Sequence, residues 1–159
     1  MFDSKNGFQT NVWGPYAWFF LHTITLNFSP DRTKGYLAFF KSLGDVLPCG
    51  ACRENYKRII SSDDRKLHLD SQKMNSRSRV SRWLFRVHIQ VQQDIYDKTK
   101  LKKDLPIYKD TKEDFILAMK EYEQYRSSCQ KRSYGCVKPK KGYKKCHSII
   151  RITPNKHSL

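Results

Sequence analysis

Apolar residues recur along this chain at intervals of three and four for most of its length, the spacing of helices that each bury one face. From Tyr16 to about Asn27, Trp18, Leu21, His22 and Thr25 keep that spacing, and Pro15 suits a first helical turn. A second run, from about Asp31 to Leu47, puts Tyr36, Phe39, Phe40, Leu43 and Val46 on one side before Pro48 ends it. A third is expected to start at Cys49 and to carry Cys52, Tyr56, Ile59 and Ile60. Ser61 to Ser71 reads as a polar connection. The fourth run, from about Asn75 to Lys98, has Val80, Trp83, Leu84, Val87, Val91 and Ile95 as its apolar stripe. Thr111 with Asp114 resembles a capping box and opens a fifth helix, with Phe115, Met119 and Tyr122 on one face.

No convincing strand alternation and no internal repeat interrupts this series. The expected fold is all-α, a short four-helix bundle plus a fifth helix. The pattern divides the chain into a helical domain over 1–126 and a tail over 127–159, where Gly, Pro and Lys dominate and flexible structure is expected.

Composition changes this picture in three ways. The 159 residues suit one domain with a core of its own. The net charge of +16 attracts nucleic acid, acidic proteins and anionic membranes non-specifically, but no acidic residue follows Glu123 while ten Lys or Arg do, so part of the excess belongs to the tail. Nothing approaches the roughly 18 to 20 apolar residues of a membrane span, and Met1 to Asn11 lacks the pattern of a secretory signal. Helix-turn-helix and zinc-finger spacings are absent, so nucleic-acid binding is expected to be non-specific at most.

The candidate chemistry begins at Pro48-Cys49-Gly50-Ala51-Cys52. Two cysteines three apart at a helix start can close a disulfide, and the free amides and dipole of the first turn favour a thiolate. Such a pair takes electrons from a dithiol by exchange. The alternative, half of a zinc site, lacks a second CxxC or CxxH at suitable distance, and no metal is expected. Electrons accepted by a disulfide need an onward carrier, so aromatic residues able to wall a planar cofactor matter. Trp13, Trp18 and His22 crowd the first helix, and Trp83 and His88 the fourth. Taken singly, each also suits an ordinary core. No GxGxxG is present, so a dinucleotide would not be held in the Rossmann manner.

Taken together, these residues resemble the Erv/ALR sulfhydryl oxidases. Trp13 to His22 is similar to that family's WGxxxWxxLH motif, the CxxC follows a second helix, and Trp83 stands five residues before His88-Ile89-Gln90-Val91-Gln92, which resembles HNxVN. Compact members from large DNA viruses are the most similar, with basic, cysteine-bearing C-termini. The resemblance implies FAD at the mouth of the bundle, walled by Trp13, Gly14, Trp18 and His22 from one helix and by Trp83, His88, Val91 and Gln92 from another. Lys98 would face the pyrophosphate, with Lys100 as the alternative. It implies Cys52 nearer the flavin and Cys49 more accessible, with electrons passing from protein dithiols, or a thioredoxin-like carrier, to oxygen and giving hydrogen peroxide. It also implies a homodimer and a location in the infected-cell cytoplasm or the virion, with the mitochondrial intermembrane space as the alternative.

Both asparagines of HNxVN are replaced. Ile89 cannot hydrogen-bond through its side chain and Gln92 does so from a longer arm, so a weaker hold on FAD is expected. In the tail, Cys129, Cys136 and Cys146 are candidates for a shuttle that relays electrons to the CxxC, with a structural disulfide or free thiols as alternatives. Two other readings stand beside the oxidase: a basic helical module that binds nucleic acid or an acidic partner, and an FAD-less scaffold of the same fold.

Overall fold

In the computed structural model, which describes residues 7–128, 136 and 138–144, the chain folds as five α-helices. They are α1 (Thr10–Leu26), α2 (Thr33–Val46), α3 (Gly50–Ile60), α4 (Arg77–Thr99) and α5 (Lys112–Glu123). Short 3-10 turns at Pro30–Arg32, Lys73–Asn75 and Lys102–Asp104 lead into α2 and α4 and follow α4. The five expected helices are all present.

The first helix starts six residues before the expected Tyr16, and Pro15 lies inside it. Tertiary contact holds the added turn. Gly7 and Phe8 lie on the turn before α3, where the Phe8 amide donates to the Pro48 carbonyl at 2.9 Å. The Trp13 indole in turn donates to the Phe8 carbonyl at 3.1 Å. A Cβ on Gly7 would come within 2.6 Å of that Pro48 oxygen, so glycine permits the approach.

The main core joins α1 to α4. Phe40, Ile59, Met74, Val80, Leu84 and Val87 are fully buried in it. Trp83 packs edge-on to Phe40 at 5.1 Å, and its indole N–H donates to the Leu67 carbonyl at 2.8 Å. Leu67 and Leu69 are themselves buried, so the stretch read as a polar connection supplies part of the core. The Tyr56 hydroxyl, deep between α2 and α3, donates to the Phe40 carbonyl at 2.8 Å. At Gly44 the missing side chain leaves room for the Lys57 stem, whose ammonium reaches Asp45 at 2.7 Å. Val46, expected on the apolar side of α2, is 67% exposed because the helix ends there.

A second, smaller core forms where α5 packs across α4 and the end of α1, around Leu26, Phe85, Ala118 and Met119. Helix α4 is thus buried on two faces. The Thr111 hydroxyl caps α5 by accepting from the Asp114 amide at 3.1 Å. Asp110, just before it, accepts from Arg82 at 2.6 Å and from Arg86 at 3.0 Å, and so ties the start of α5 to α4. Within the stretch expected to be flexible, Ser127–Ser128 pairs antiparallel with Lys138–Pro139. The Lys140 and Lys144 amides donate to the Arg126 and Gln124 carbonyls, so the described part of the tail folds back on the end of α5.

Burial pushes the Asp110 carboxyl up, but the hydrogen bonds and charges of Arg86 and Arg82 outweigh it and hold the group below the ordinary carboxylate value. A carboxyl depressed in the folded state contributes stability above its unfolded pKa, and that contribution is lost as pH falls through the folded value. Asp110→Asn is therefore expected to lower the melting temperature by a few degrees near pH 7, roughly 1 kcal/mol for this half-exposed network. The gap from the unsubstituted protein should close as the pH is taken below the ordinary carboxylate range. A gap that persists unchanged at low pH would show that the charge is not what fastens α5.

Candidate functional site

Two features carry chemistry, and the first helix links them. Cys49 and Cys52 form a disulfide at the start of α3. Cys49 is the N-cap residue, in extended backbone, and its sulfur accepts from the Cys52 amide at 3.2 Å. Both cysteines are half-buried. Arg53 follows the pair. Its guanidinium donates to the Leu47 carbonyl at 2.6 Å and lies 3.6 Å from where a Cβ on Gly50 would stand. A fixed cation therefore borders the helix start that holds the sulfurs. Sequence pattern alone does not mark Arg53, because an arginine in a first helical turn has no periodic signature.

The second feature is a cavity of about 250 Å³ between α1, α4 and α5. His22 from α1 and His88 from α4 meet there, with His22 Nε2 and His88 Nδ1 3.1 Å apart. The Trp18 ring stacks on the His88 ring at 3.9 Å, nearly parallel. The Tyr122 ring lies 4.9 Å from that of His22. Ile89 and Gln92, the two departures from HNxVN, both line the cavity, and Ile89 packs against the α5 core. On the far wall, Tyr108 donates to Glu121 at 2.9 Å.

Burial pushes His22 down to about 3, and burial, with the repulsion that a protonated His22 would add, holds His88 well below the ordinary imidazole value. Both rings are neutral near pH 7. One nitrogen of the facing pair donates and the other accepts, which leaves His22 Nδ1 buried without a partner. Flat aromatic walls and neutral rings fit the heteroaromatic part of a flavin. Ligand sites commonly run from roughly 300 to 1,000 Å³, so this cavity encloses one ring system and not a whole dinucleotide.

The structure gathers some of the sequence candidates and separates others. His22, His88 and Gln92 line the cavity, and Trp18 borders it through its stack on His88. Trp83 and Val91 face the main core instead, since α2 and the 61–76 connection cover that side of α4. Trp13 and Gly14 lie at the start of α1, toward the disulfide, where a Cβ on Gly14 would meet nothing within 4 Å. Lys98 is exposed in the last turn of α4, and Lys100 pairs with Asp97 at 3.3 Å. Cys136 is exposed and disulfide-bonded, while Cys129 and Cys146 lie outside the described residues. The α5 wall of Met119, Glu121 and Tyr122 was legible only as an apolar stripe. Among the described residues no group of acidic, His and Cys side chains could hold a metal ion.

A model of the Erv1/Alr family matches residues 15–115. A probable FAD-linked sulfhydryl oxidase of Acanthamoeba polyphaga mimivirus is 34% identical over 80 residues, covering 48% of this chain and 53% of that protein. This chain thus spans about half the length of the curated relative it matches. The α5 wall of the cavity and the start of α1 lie outside the matched region.

Neutral buried histidines make stability depend on pH in a definite direction. The unfolded chain takes up protons near pH 6.5 and the folded chain does not until much lower. Their contribution is present in full above that value and falls by on the order of 1 kcal/mol per histidine for each pH unit below it. Urea midpoints at pH 7.5 and 5.5 are expected to drop more in the unsubstituted protein than in His22→Gln, and equal drops would mean that His22 is not held neutral. At the other feature, Arg53→Met is expected to slow alkylation of the reduced Cys49 thiol near neutral pH, with Arg53→Lys close to unchanged. The pH dependence of thiol alkylation measures this, and identical profiles in all three proteins would remove Arg53 from the site.

Proposed function

The chain belongs to the Erv1/Alr family, and on that premise we propose that it is an FAD-dependent thiol oxidase that makes disulfide bonds in substrate proteins. The observation that carries the reading is a closed CxxC disulfide at a helix start, tied through Phe8 and Trp13 to the helix that supplies Trp18 and His22 to the cavity.

A substrate thiolate attacks one sulfur of the pair, forming a mixed disulfide and releasing the other as a thiolate. The helix start and Arg53 stabilise the thiolate that leaves. A second substrate thiol then displaces the enzyme sulfur, so the substrate dithiol becomes a disulfide and Cys49 and Cys52 become thiols. In this reading Cys49 is the sulfur that substrate meets and Cys52 the one that faces inward. Bound at the cavity, FAD would supply the two-electron carrier between the reduced pair and oxygen, with hydrogen peroxide as product. His22, His88, Trp18 and Gln92 would hold it. The chain offers Ile89 where the family motif has an amide, which supports a weaker hold than is usual.

The reading extends to partners. An open apolar groove of about 320 Å³, lined by Ile24, Tyr36 and Phe39 between α1 and α2, supports a homodimer through those helices. Protein substrates reach the pair directly or through the tail cysteines, of which Cys136 is disulfide-bonded. Likeness to a viral protein supports action in infected cells or in the virion. No helix among the described residues is long and apolar enough to cross a membrane.

The visible spectrum of the purified protein tests this directly. A flavin band is expected that bleaches with dithiothreitol and returns in air as peroxide forms. Cys49→Ser and Cys52→Ser are each expected to keep the band and lose turnover by at least a hundredfold, since no exchange is possible without both sulfurs. A colourless protein that takes up no added FAD would overturn the oxidase reading, and turnover retained in either variant would displace the assigned pair.

A further inference from the structure

The two most exposed large apolar side chains among those of the described residues are Phe8, at 76%, and Val46, at 67%. Both belong to the surroundings of the disulfide. Phe8 is bonded through its amide to Pro48, next to Cys49. Val46 is the last residue of α2, three positions before Cys49, so its Cα lies within roughly 11 Å of that cysteine by chain length alone. In a chain with 29% charged residues, neither Gly7–Gln9 nor Val46–Cys52 contains an acidic or basic side chain. The disulfide thus sits among two short uncharged segments, bordered by Asp45, which is paired with Lys57 at 2.7 Å, and by Arg53, whose guanidinium is turned to the Leu47 carbonyl.

Exposed apolar side chains of this size scattered singly need no explanation, but two beside one reactive bond do. The occupant is set by the chemistry at the centre, because only a thiol-bearing partner has reason to approach a disulfide. Folded proteins present few apolar residues beside a free cysteine, whereas unfolded chains present many. The groove suited to pairing two copies lies elsewhere, between α1 and α2. We propose that Phe8 and Val46 form a docking rim for unfolded dithiol segments whose attacking cysteine is flanked by apolar residues. The inference rests on the thiol-oxidase reading and names its substrate class. Burying a Phe and a Val side chain against the segment holds its thiolate at the disulfide during attack, release of the partner sulfur as a thiolate, and closure of the substrate disulfide by its second thiol.

The test compares two synthetic dithiol peptides of equal charge on the full flavin-loaded chain. One has Leu and Phe beside its first cysteine, the other Ser and Gly. The apolar peptide is expected to show about tenfold higher kcat/KM, as burial of one or two such side chains implies. Phe8→Ser with Val46→Ser is expected to erase that preference through KM, with dithiothreitol turnover and flavin content unchanged. Phe8→Leu with Val46→Ile should restore it. Equal rates on the two peptides in the unsubstituted protein, or equal loss on both peptides and dithiothreitol in the double variant, would overturn the rim. A fall in oligomeric state on Phe8→Ser with Val46→Ser, read by sedimentation, would assign the surface to contact between copies and overturn it as well. Failure of the unsubstituted protein to oxidise dithiothreitol would instead sink the oxidase reading, and the rim with it.

Discussion

Helix α4 has to bury two faces at once, and the arrangement of the other elements follows from that constraint. Val80, Trp83, Leu84 and Val87 require cover on one side, which α1, α2, α3 and the 61–76 connection supply. Phe85 and Ile89 require cover on the other, which α5 supplies. Apolar burial stabilises by roughly 25 cal/mol for each Å² removed from water, so neither face could be left open without a large cost. The cavity lies along the seam between the two coverings. His22 and His88 meet in that seam, and their neutrality is a consequence of where the two packings leave them.

A buried imidazole without full pairing is a liability to the fold. His22 Nδ1 has no partner, and each pH unit below the ordinary imidazole value weakens the structure further. Such a feature carries a cost that packing alone does not offset. The same logic applies at the disulfide, where exposed Phe8 and Val46 sit beside a sulfur pair that an apolar core would have hidden. In both places the local rules of packing are broken beside chemistry.

The connection between the two features is mechanical. Phe8 bonds to Pro48, Trp13 bonds to Phe8, and α1 continues unbroken past Pro15 to Trp18 and His22. A rigid helix therefore spans from the turn that carries Cys49 to the cavity. At the other end, Arg126 reaches back from the end of α5 to the Leu26 carbonyl at the end of α1. The cavity wall and the helix behind it are thus fastened at both ends, while Asp110 holds the start of α5 to Arg82 and Arg86.

Periodicity alone determined that there are five helices, which residues form most of the main core, and that Cys49 stands at a helix start. These are local properties, since a three-and-four spacing, a proline and a capping threonine act within one or two turns. Motif spacing also placed His22, His88 and Gln92 together, because each pairs a short motif with a fixed helical face. The tertiary structure decided what periodicity could not. Trp83 and His88 share one helix, yet the first turns to the core and the second to the cavity, since a helix packed on two sides has two inner faces. Leu67 and Leu69 join the core from a segment with no period at all, and Glu121 and Tyr122 become a cavity wall only because α5 crosses α4. Exposure at Val46 and Phe8 depends on where α2 stops and on where the chain before α1 lies, and neither is written in the spacing of any single element.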